Sequence, residues 1–477
     1  MSTEQQTFFR SLFRRKPIRA SIHQGEVSEM KRVLTAIDLV GVGIGSIIGT
    51  GIFVLTGRAA AVNAGPAIVI SFVIAGVVSA ISAFSYAEMG SMIPIAGSAY
   101  TYALTTMGEL FGWIVGWDLM LELLVGGSTV AVGWSGYLVH AFQAFWGVTL
   151  NKATTETPLE YRNNVFVINE GAYINIPAML ILACITTILV FGIKESSMFN
   201  NVFVAIKLIV ILLFIFGGIK YIDKANYTPF IPPKKGNDFG GLGILRGAQK
   251  VFFAYMGFDS VTTTAQEAQN PQRDIPIGIC ISLLVCTILY IATCVVLCGV
   301  RKYTELNTSA PIPDSLSIHP GTRWLQILIY IGALAGLTSV LLIGLLAQPR
   351  LFMSMANDGM MPQAFARLHP KFKTPAFPTI LCGGICIVLS GFLPVDLLGD
   401  MTSVGTLLAF SFVNIAVIIA RYTLPDQPRS FRVPFGPFIL PIIGTVISLK
   451  RSRVQEYIDA SEEYGGYEDS KINGYSA

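Results

Sequence analysis

Residues 34–55 form an apolar run long enough to cross a bilayer, and the centre of that run is poor helix material. Gly45-Ser46-Ile47-Ile48-Gly49-Thr50-Gly51 sets three glycines and two hydroxyl residues side by side, and an interior glycine costs about 1 kcal/mol relative to alanine. In hydrocarbon, a backbone that leaves the helix exposes amides and carbonyls that lipid cannot satisfy. Such an interruption survives where it lines a cavity and a polar ligand completes the bonding. The half-helix that restarts beyond it points free N–H groups and a partial positive charge at that ligand, which suits a carboxylate. The alternative is an unbroken helix whose glycines at 41, 43, 45, 49 and 51 form a small-residue packing face.

Comparable apolar stretches follow, separated by short polar loops. With 53% hydrophobic and 13% charged residues in 477 and a mean hydropathy of +0.61, the chain reads as an all-α, multi-pass integral membrane protein. The pattern predicts helix 1 at about 34–57, helix 2 at about 66–90, helix 3 at about 109–147 with a kink at Gly126-Gly127, and helices 4 and 5 at about 174–193 and 199–220. Helix 6 is expected at about 242–269, helix 7 at about 275–300, and helix 8 at about 322–356. An amphipathic stretch, Asn357–Lys373, then leads to helices 9 and 10 at about 376–394 and 401–420.

The basic tail, residues 1–33, is placed in the cytoplasm by the positive-inside rule, in the plasma (cell inner) membrane. Lys220, Lys224, Lys234 and Lys235 in an opposite loop run against that assignment. A short eleventh apolar segment, 432–450, carries three prolines and precedes Lys450, Arg451 and Arg453. Under this topology it is either re-entrant or followed by a span that is not seen. Residues 451–477 have the polar composition of a disordered tail. The seven cysteines form no CxxC pair and fall within or at the ends of predicted spans, so they read as small apolar fillers, with no metal site expected. The net charge of +4 reflects topology, and no nucleic-acid partner is expected. Nothing in the sequence fixes an oligomeric state.

A second interruption is expected at Tyr255-Met256-Gly257 in Val251–Asp259. It lies in helix 6, five helices after the first and running the opposite way. Two discontinuous helices at matching places in oppositely oriented five-helix halves, 34–220 and 242–421, point to an inverted-repeat secondary transporter. The amino end after the first break suits a carboxylate, and carbonyls freed at Phe253, Ala254 and Met256 suit an ammonium group. A small-molecule amino acid satisfies both.

Residues 43–57 (GIGSIIGTGIFVLTG), 252–259 (FFAYMGFD) and 270–279 (NPQRDIPIGI) resemble the cationic amino-acid transporter branch of the amino acid–polyamine–organocation superfamily. So do 132–137 (VGWSGY) and 431–437 (FRVPFGP). The resemblance covers about residues 30–445 and implies a LeuT-like fold of two inverted five-helix repeats plus extra carboxyl-terminal helices, at least one more than is seen here. It carries α-carboxylate contacts onto Gly49, Thr50 and Gly51, and amine contacts onto the carbonyls of Ile47, Phe253, Ala254 and Met256, with Phe253 covering the substrate.

Charged residues at membrane depth need a reason. Lys207 sits in otherwise apolar Val204–Val210. Either it exchanges a proton as access alternates, coupling transport to protons without sodium, or it snorkels to the surface. The resemblance supports the first, because several members place a lysine where sodium-coupled relatives bind an ion. Asp118 and Glu122 share one face of helix 3; they either meet a substrate or proton, or pair within the bundle. Asp259 is expected to cap the inner half of helix 6, and Glu88, Glu267 and Arg273 read as inner-gate ion-pair material. Lys250 either lines the outer vestibule, where it would disfavour cationic substrates, or snorkels outward. Ser46, Tyr255 and Gly344 complete the pocket or gate candidates, Gly344 by removing bulk on helix 8, although close helix packing explains it equally well. The function expected is a permease for amino acids, proton-coupled or exchanging, with the proton as coupling ion and no cofactor. A polyamine permease is the nearest rival and an amino-acid sensor the non-transporting one. An enzyme is not expected, since no nucleophile–base pair or metal cluster lies at membrane depth.

Overall fold

The structure, a computed structural model, describes residues 13–17, 32–95, 97–162, 165–191, 197–236, 238–372, 374–436 and 438–449. The expected disordered tail at 451–477 and most of the basic tail lie outside them.

Helix α1 (Ala36–Ile47) starts on a capping box: Thr35 Oγ1 accepts from the Asp38 amide, and the Thr35 amide donates to the Asp38 carboxylate. It stops where Ile48 turns extended, with ψ of 99°. The chain then resumes as a wide π-type turn, Gly51–Leu55, followed by Thr56–Ala59 and a second wide turn, Ala60–Ala64. Gly65, at a φ of +63°, turns it back into α2 (Ile68–Met92).

Helix α3 (Ser98–Thr106) fills a stretch for which no helix was expected, and α4 (Glu109–Trp146) follows. Gly126-Gly127, the expected kink, lies within one uninterrupted helix. There the pair admits side chains from neighbours, with Thr402 within 3.3 Å of a Cβ on Gly126 and Gln348 within 3.7 Å of one on Gly127. A short antiparallel hairpin, Leu159–Arg162 with Val165–Ile168, precedes α5 (Ile176–Phe191) and α6 (Ser197–Ile219).

Helix α7 (Gly240–Phe252) tightens into a 3-10 turn, Phe253–Tyr255, and ends there. Beyond it only the short turns Ser260–Thr263 and Ala265–Glu267 follow, rather than a helix to 269. Then come α8 (Pro271–Val300), α9 (Pro311–Leu316), α10 (Arg323–Asn357), α11 (Ala376–Phe392), α12 (Val395–Thr423) and α13 (Ile439–Leu449). Helix α12 starts six residues before the expected 401, and the amphipathic stretch Asn357–Lys373 holds a 3-10 turn, Gln363–Ala366. Among the described residues, six helical stretches are long and apolar enough to span a membrane, and α1, α5, α11 and α13 are shorter apolar helices.

Helix α2 packs along α7 and α8, and α1 packs along α8; α4 runs along α10 and α12, and α5 along α11. Helix α6 bridges the groups through α1, α8 and α10. Two ends of this bundle matter: a proximal side, where the chain enters α1, and the distal side opposite. On the proximal side Glu88, 1% exposed, takes a bidentate pair from Arg421 at 2.5 and 2.6 Å and the Val433 amide at 2.8 Å. Arg429 Nε lies 3.4 Å away. Glu88, read from the sequence as ion-pair material, thus fastens the α12–α13 linker. Residues 13–17 dock on the same side, with Arg14 on Glu109 and Lys16 on Asp358.

Candidate functional site

The two interrupted helices lie side by side. On the proximal side the Val33 and Leu34 amides donate to the Glu267 carbonyl, and the Gln269 amide donates back to Leu34. At mid-depth a Cβ on Gly51 would fall on the Ala254 Cα, and a Cβ on Gly257 would come within 2.8 Å of the Ser46 backbone. Gly257 also holds a φ of +109°, a conformation that side chains disfavour. The glycines are thus needed where two backbones touch, so the packing-face reading of Gly51 and the interruption reading describe one contact.

A helix leaves its last carbonyls without internal partners. At the end of α1 the Ile44 carbonyl takes the Ile48 amide, and the Gly45 carbonyl takes Lys207 Nζ at 2.6 Å. The Ile47 carbonyl takes the Tyr290 hydroxyl at 2.9 Å. The same hydroxyl lies 2.9 Å from the Ala254 carbonyl, at the other interruption. Lys207 is fully buried and turned into the bundle, so it does not snorkel. Its stem passes Gly336 of α10, where a Cβ would come within 2.9 Å of Lys207 Cγ. The partial negative charge at the carboxyl end of α1 favours a cation there.

Thr50 is fully buried and packs against Gly133 of α4; its hydroxyl and that of Ser46 have no hydrogen-bond partner. Gly49 faces Val340 of α10 at 3.5 Å. One turn along α10 from Val340, Gly344 has nothing within 4 Å of where its Cβ would be. The Phe253 carbonyl accepts the Met256 amide at 3.2 Å, closing the 3-10 turn. Tyr255 sends its hydroxyl to the Phe72 carbonyl of α2 at 2.9 Å.

Asp118 and Glu122 face Gly405 of α12, and each has one buried carboxylate oxygen without a partner. Asp259 stands at the start of the turn Ser260–Thr263 but makes no side-chain cap; its carbonyl takes the Thr262 amide at 2.8 Å instead. On the distal side Asp396 joins Arg58, at 2.7 Å, to Lys250, at 3.4 Å. Lys250, a vestibule or snorkelling candidate from the sequence, is thus ion-paired with Asp396 beside Arg58. Gly57 packs on Pro311 of α9, which covers this end.

Tyr290, Gly336 and the Asp396 clasp were not singled out from the sequence. A tyrosine deep in an apolar helix was the available signal for the first, since a buried phenol needs a partner at that depth. Among the described residues no cluster of His, Cys, Asp and Glu could hold a metal ion.

Comparison with known proteins agrees with this architecture. The family described as "Amino acid permease" matches residues 34–449. A methylthioribose transporter of Bacillus subtilis is 44% identical, covering 92% of each chain. The branched-chain amino acid permease BcaP of the same organism is 42% identical over 90% of each. The vacuolar cationic amino acid transporter 4 of Arabidopsis thaliana is 39% identical over 87% of this chain and 68% of its own. These relatives are transporters rather than enzymes, and with the family matched over most of its length the chain belongs to the amino acid permeases, multi-pass proteins of the membrane.

Proposed function

We propose that this permease is a secondary active transporter of amino acids, proton-coupled, working by alternating access around the paired interruptions. The observation that carries the reading is their meeting at mid-depth, where Gly51 lies on Ala254 and Gly257 on Ser46. The first amides of a restarted helix lack internal partners, so the N–H groups at Gly49, Thr50 and Gly51 receive the α-carboxylate. The carbonyls of Ile47, Phe253, Ala254 and Met256 receive the ammonium. The unbonded hydroxyls of Ser46 and Thr50 stand beside these groups, and the space at Gly344 takes the substrate side chain. Residues 34–220 and 242–421 form the inverted halves, with residues 1–33 in the cytoplasm. The proximal side is then the inner one and the Asp396 clasp the outer gate.

Lys207 supplies the coupling. Charged, it bonds the Gly45 carbonyl; on releasing its proton it loses that charge-assisted bond and loosens α1. A hydrogen bond to a charged group contributes about 1.5–3 kcal/mol, enough to shift a conformational equilibrium by roughly 10- to 100-fold.

The test is uptake of a radiolabelled amino-acid panel into proteoliposomes, with and without an inward proton gradient, for the unaltered protein and Lys207→Met. Saturable uptake accelerated by the gradient is expected, and Lys207→Met should abolish the acceleration while counterflow persists. Counterflow indifferent to pH and to Lys207 would make the protein an exchanger and remove the coupling role. Binding without flux would make it a sensor. A second reading follows from the methylthioribose relative, whose named cargo has neither carboxylate nor ammonium: the Ser46 and Thr50 hydroxyls would then serve a neutral sugar. Uptake of methylthioribose, uninhibited by any amino acid, would favour it.

A further inference from the structure

Two of the four carbonyls that the proposed function gives to the substrate ammonium, those of Ile47 and Ala254, are both already approached by one phenol. Tyr290 projects from α8, is fully buried, and lies 2.9 Å from each oxygen. Its ring is fixed edge-on by Phe72, with centroids 5.6 Å apart, and by Tyr255 at 5.4 Å. Tyr255 is itself tied through its hydroxyl to the Phe72 carbonyl. The phenol is therefore held from two sides at the point where the two interrupted backbones meet.

A phenol carries one proton and donates it to one acceptor at a time. With two carbonyls at equal distance, one bond is made and the other carbonyl faces the phenol oxygen without a proton between them. That arrangement is incomplete as it stands. A primary ammonium carries three N–H donors, so it can supply a proton to both carbonyls and a third to the phenol oxygen, which then acts as acceptor. A hydroxy acid of the same shape offers a single donor in that place.

We infer that Tyr290 is a positioning residue that clips the two interruptions together through the Ile47 and Ala254 carbonyls, and that it thereby selects ligands bearing a primary α-ammonium group. The inference rests on the amino-acid reading above and deepens it; the clip itself does not depend on which ligand is carried.

The experiment uses the full chain in lipid nanodiscs, comparing the unaltered protein with Tyr290→Phe. Backbone amide exchange is followed without ligand, in peptides covering residues 45–51 and 253–258. Binding is measured for amino acids and for the α-hydroxy acids of identical side chain. Loss of one hydrogen bond of about 1 kcal/mol should raise exchange at both interruptions about fivefold and weaken amino-acid binding about fivefold. Hydroxy-acid binding should stay within about twofold, because only a fraction of that energy is at stake. Tyr227→Phe removes another phenol bonded to an α8 carbonyl, that of Val295, and should leave both interruptions as protected as before. Unchanged exchange at both sites in Tyr290→Phe overturns the clip. Equal weakening of amino and hydroxy acids overturns the selection and leaves a purely structural tyrosine. If the unaltered protein binds no amino acid, the reading of its function fails, and the exchange measurement still decides the clip.

Discussion

Gly51→Ala is expected to reduce uptake by about 10- to 100-fold, with the protein still inserted in the membrane. The new methyl group would fall on the Ala254 Cα, and backbone cannot swing aside as a side chain would. Overpacking costs about 1–3 kcal/mol when surrounding side chains can adjust, and here relief requires the two interruptions to separate. That separation displaces the carbonyls of Ile47 and Ala254 from the Tyr290 hydroxyl, so binding suffers along with packing. Gly384→Ala is the matched control, since a Cβ there meets nothing within 4 Å; it should transport normally. Initial-rate uptake in proteoliposomes, normalised to inserted protein, checks both. Normal uptake by Gly51→Ala would mean that the interruptions move apart freely and that their contact is not part of the site.

Glu88→Gln should have the largest effect on stability. Glu88 is buried and holds Arg421 by two short bonds, with Arg429 beside it and the Val433 amide on its second oxygen. Removing one partner of a buried ion pair costs about 3–5 kcal/mol, because the other charge is left without compensation. The glutamine keeps the shape and one acceptor, so the loss isolates the charge. A fall in melting temperature of several degrees in detergent is expected, with earlier proteolysis of the α12–α13 linker. Combining Glu88→Gln with Arg421→Gln should recover part of the loss, since the double change removes both charges; strictly additive losses would show that the pair is not coupled.

What was legible in the sequence was local. Glycines and hydroxyls inside an apolar run marked the first interruption and Tyr255-Met256-Gly257 the second, because hydrocarbon tolerates no unsatisfied backbone, and the ends of most long helices followed from hydropathy. Lys207 stood out as a charge, but nothing near it in sequence points to the Gly45 carbonyl. Its clearance past Gly336 depends on a helix more than a hundred residues away. Asp259 looked like a cap because aspartate usually is one; the turn it begins is a single one without a side-chain cap, and the Asp259 carbonyl takes the Thr262 amide. The Asp396 clasp and the Glu88 cluster join elements from opposite ends of the chain. Local pattern has no access to such pairings, whose charges read alike whether they meet one another, lipid headgroups or water. Helix α3 was missed for a different reason: its Ser, Thr and Tyr content resembles a loop until burial is known.

Glu88 also carries a timing. Its partners Arg421, Arg429 and Val433 are synthesised long after it, with 345 residues separating Glu88 from Val433. At about 5–20 residues per second, α2 waits roughly 15–70 s on the ribosome before its acid can be matched. During that interval a carboxylate in an otherwise apolar helix end has no built-in counter-charge from its final neighbours. Until α12 and its linker emerge, this acid is hydrated, protonated or paired with some other group. A protein interrupted late in synthesis would display an unmatched acid at a helix end, a mark by which quality control could distinguish the unfinished chain from the finished one.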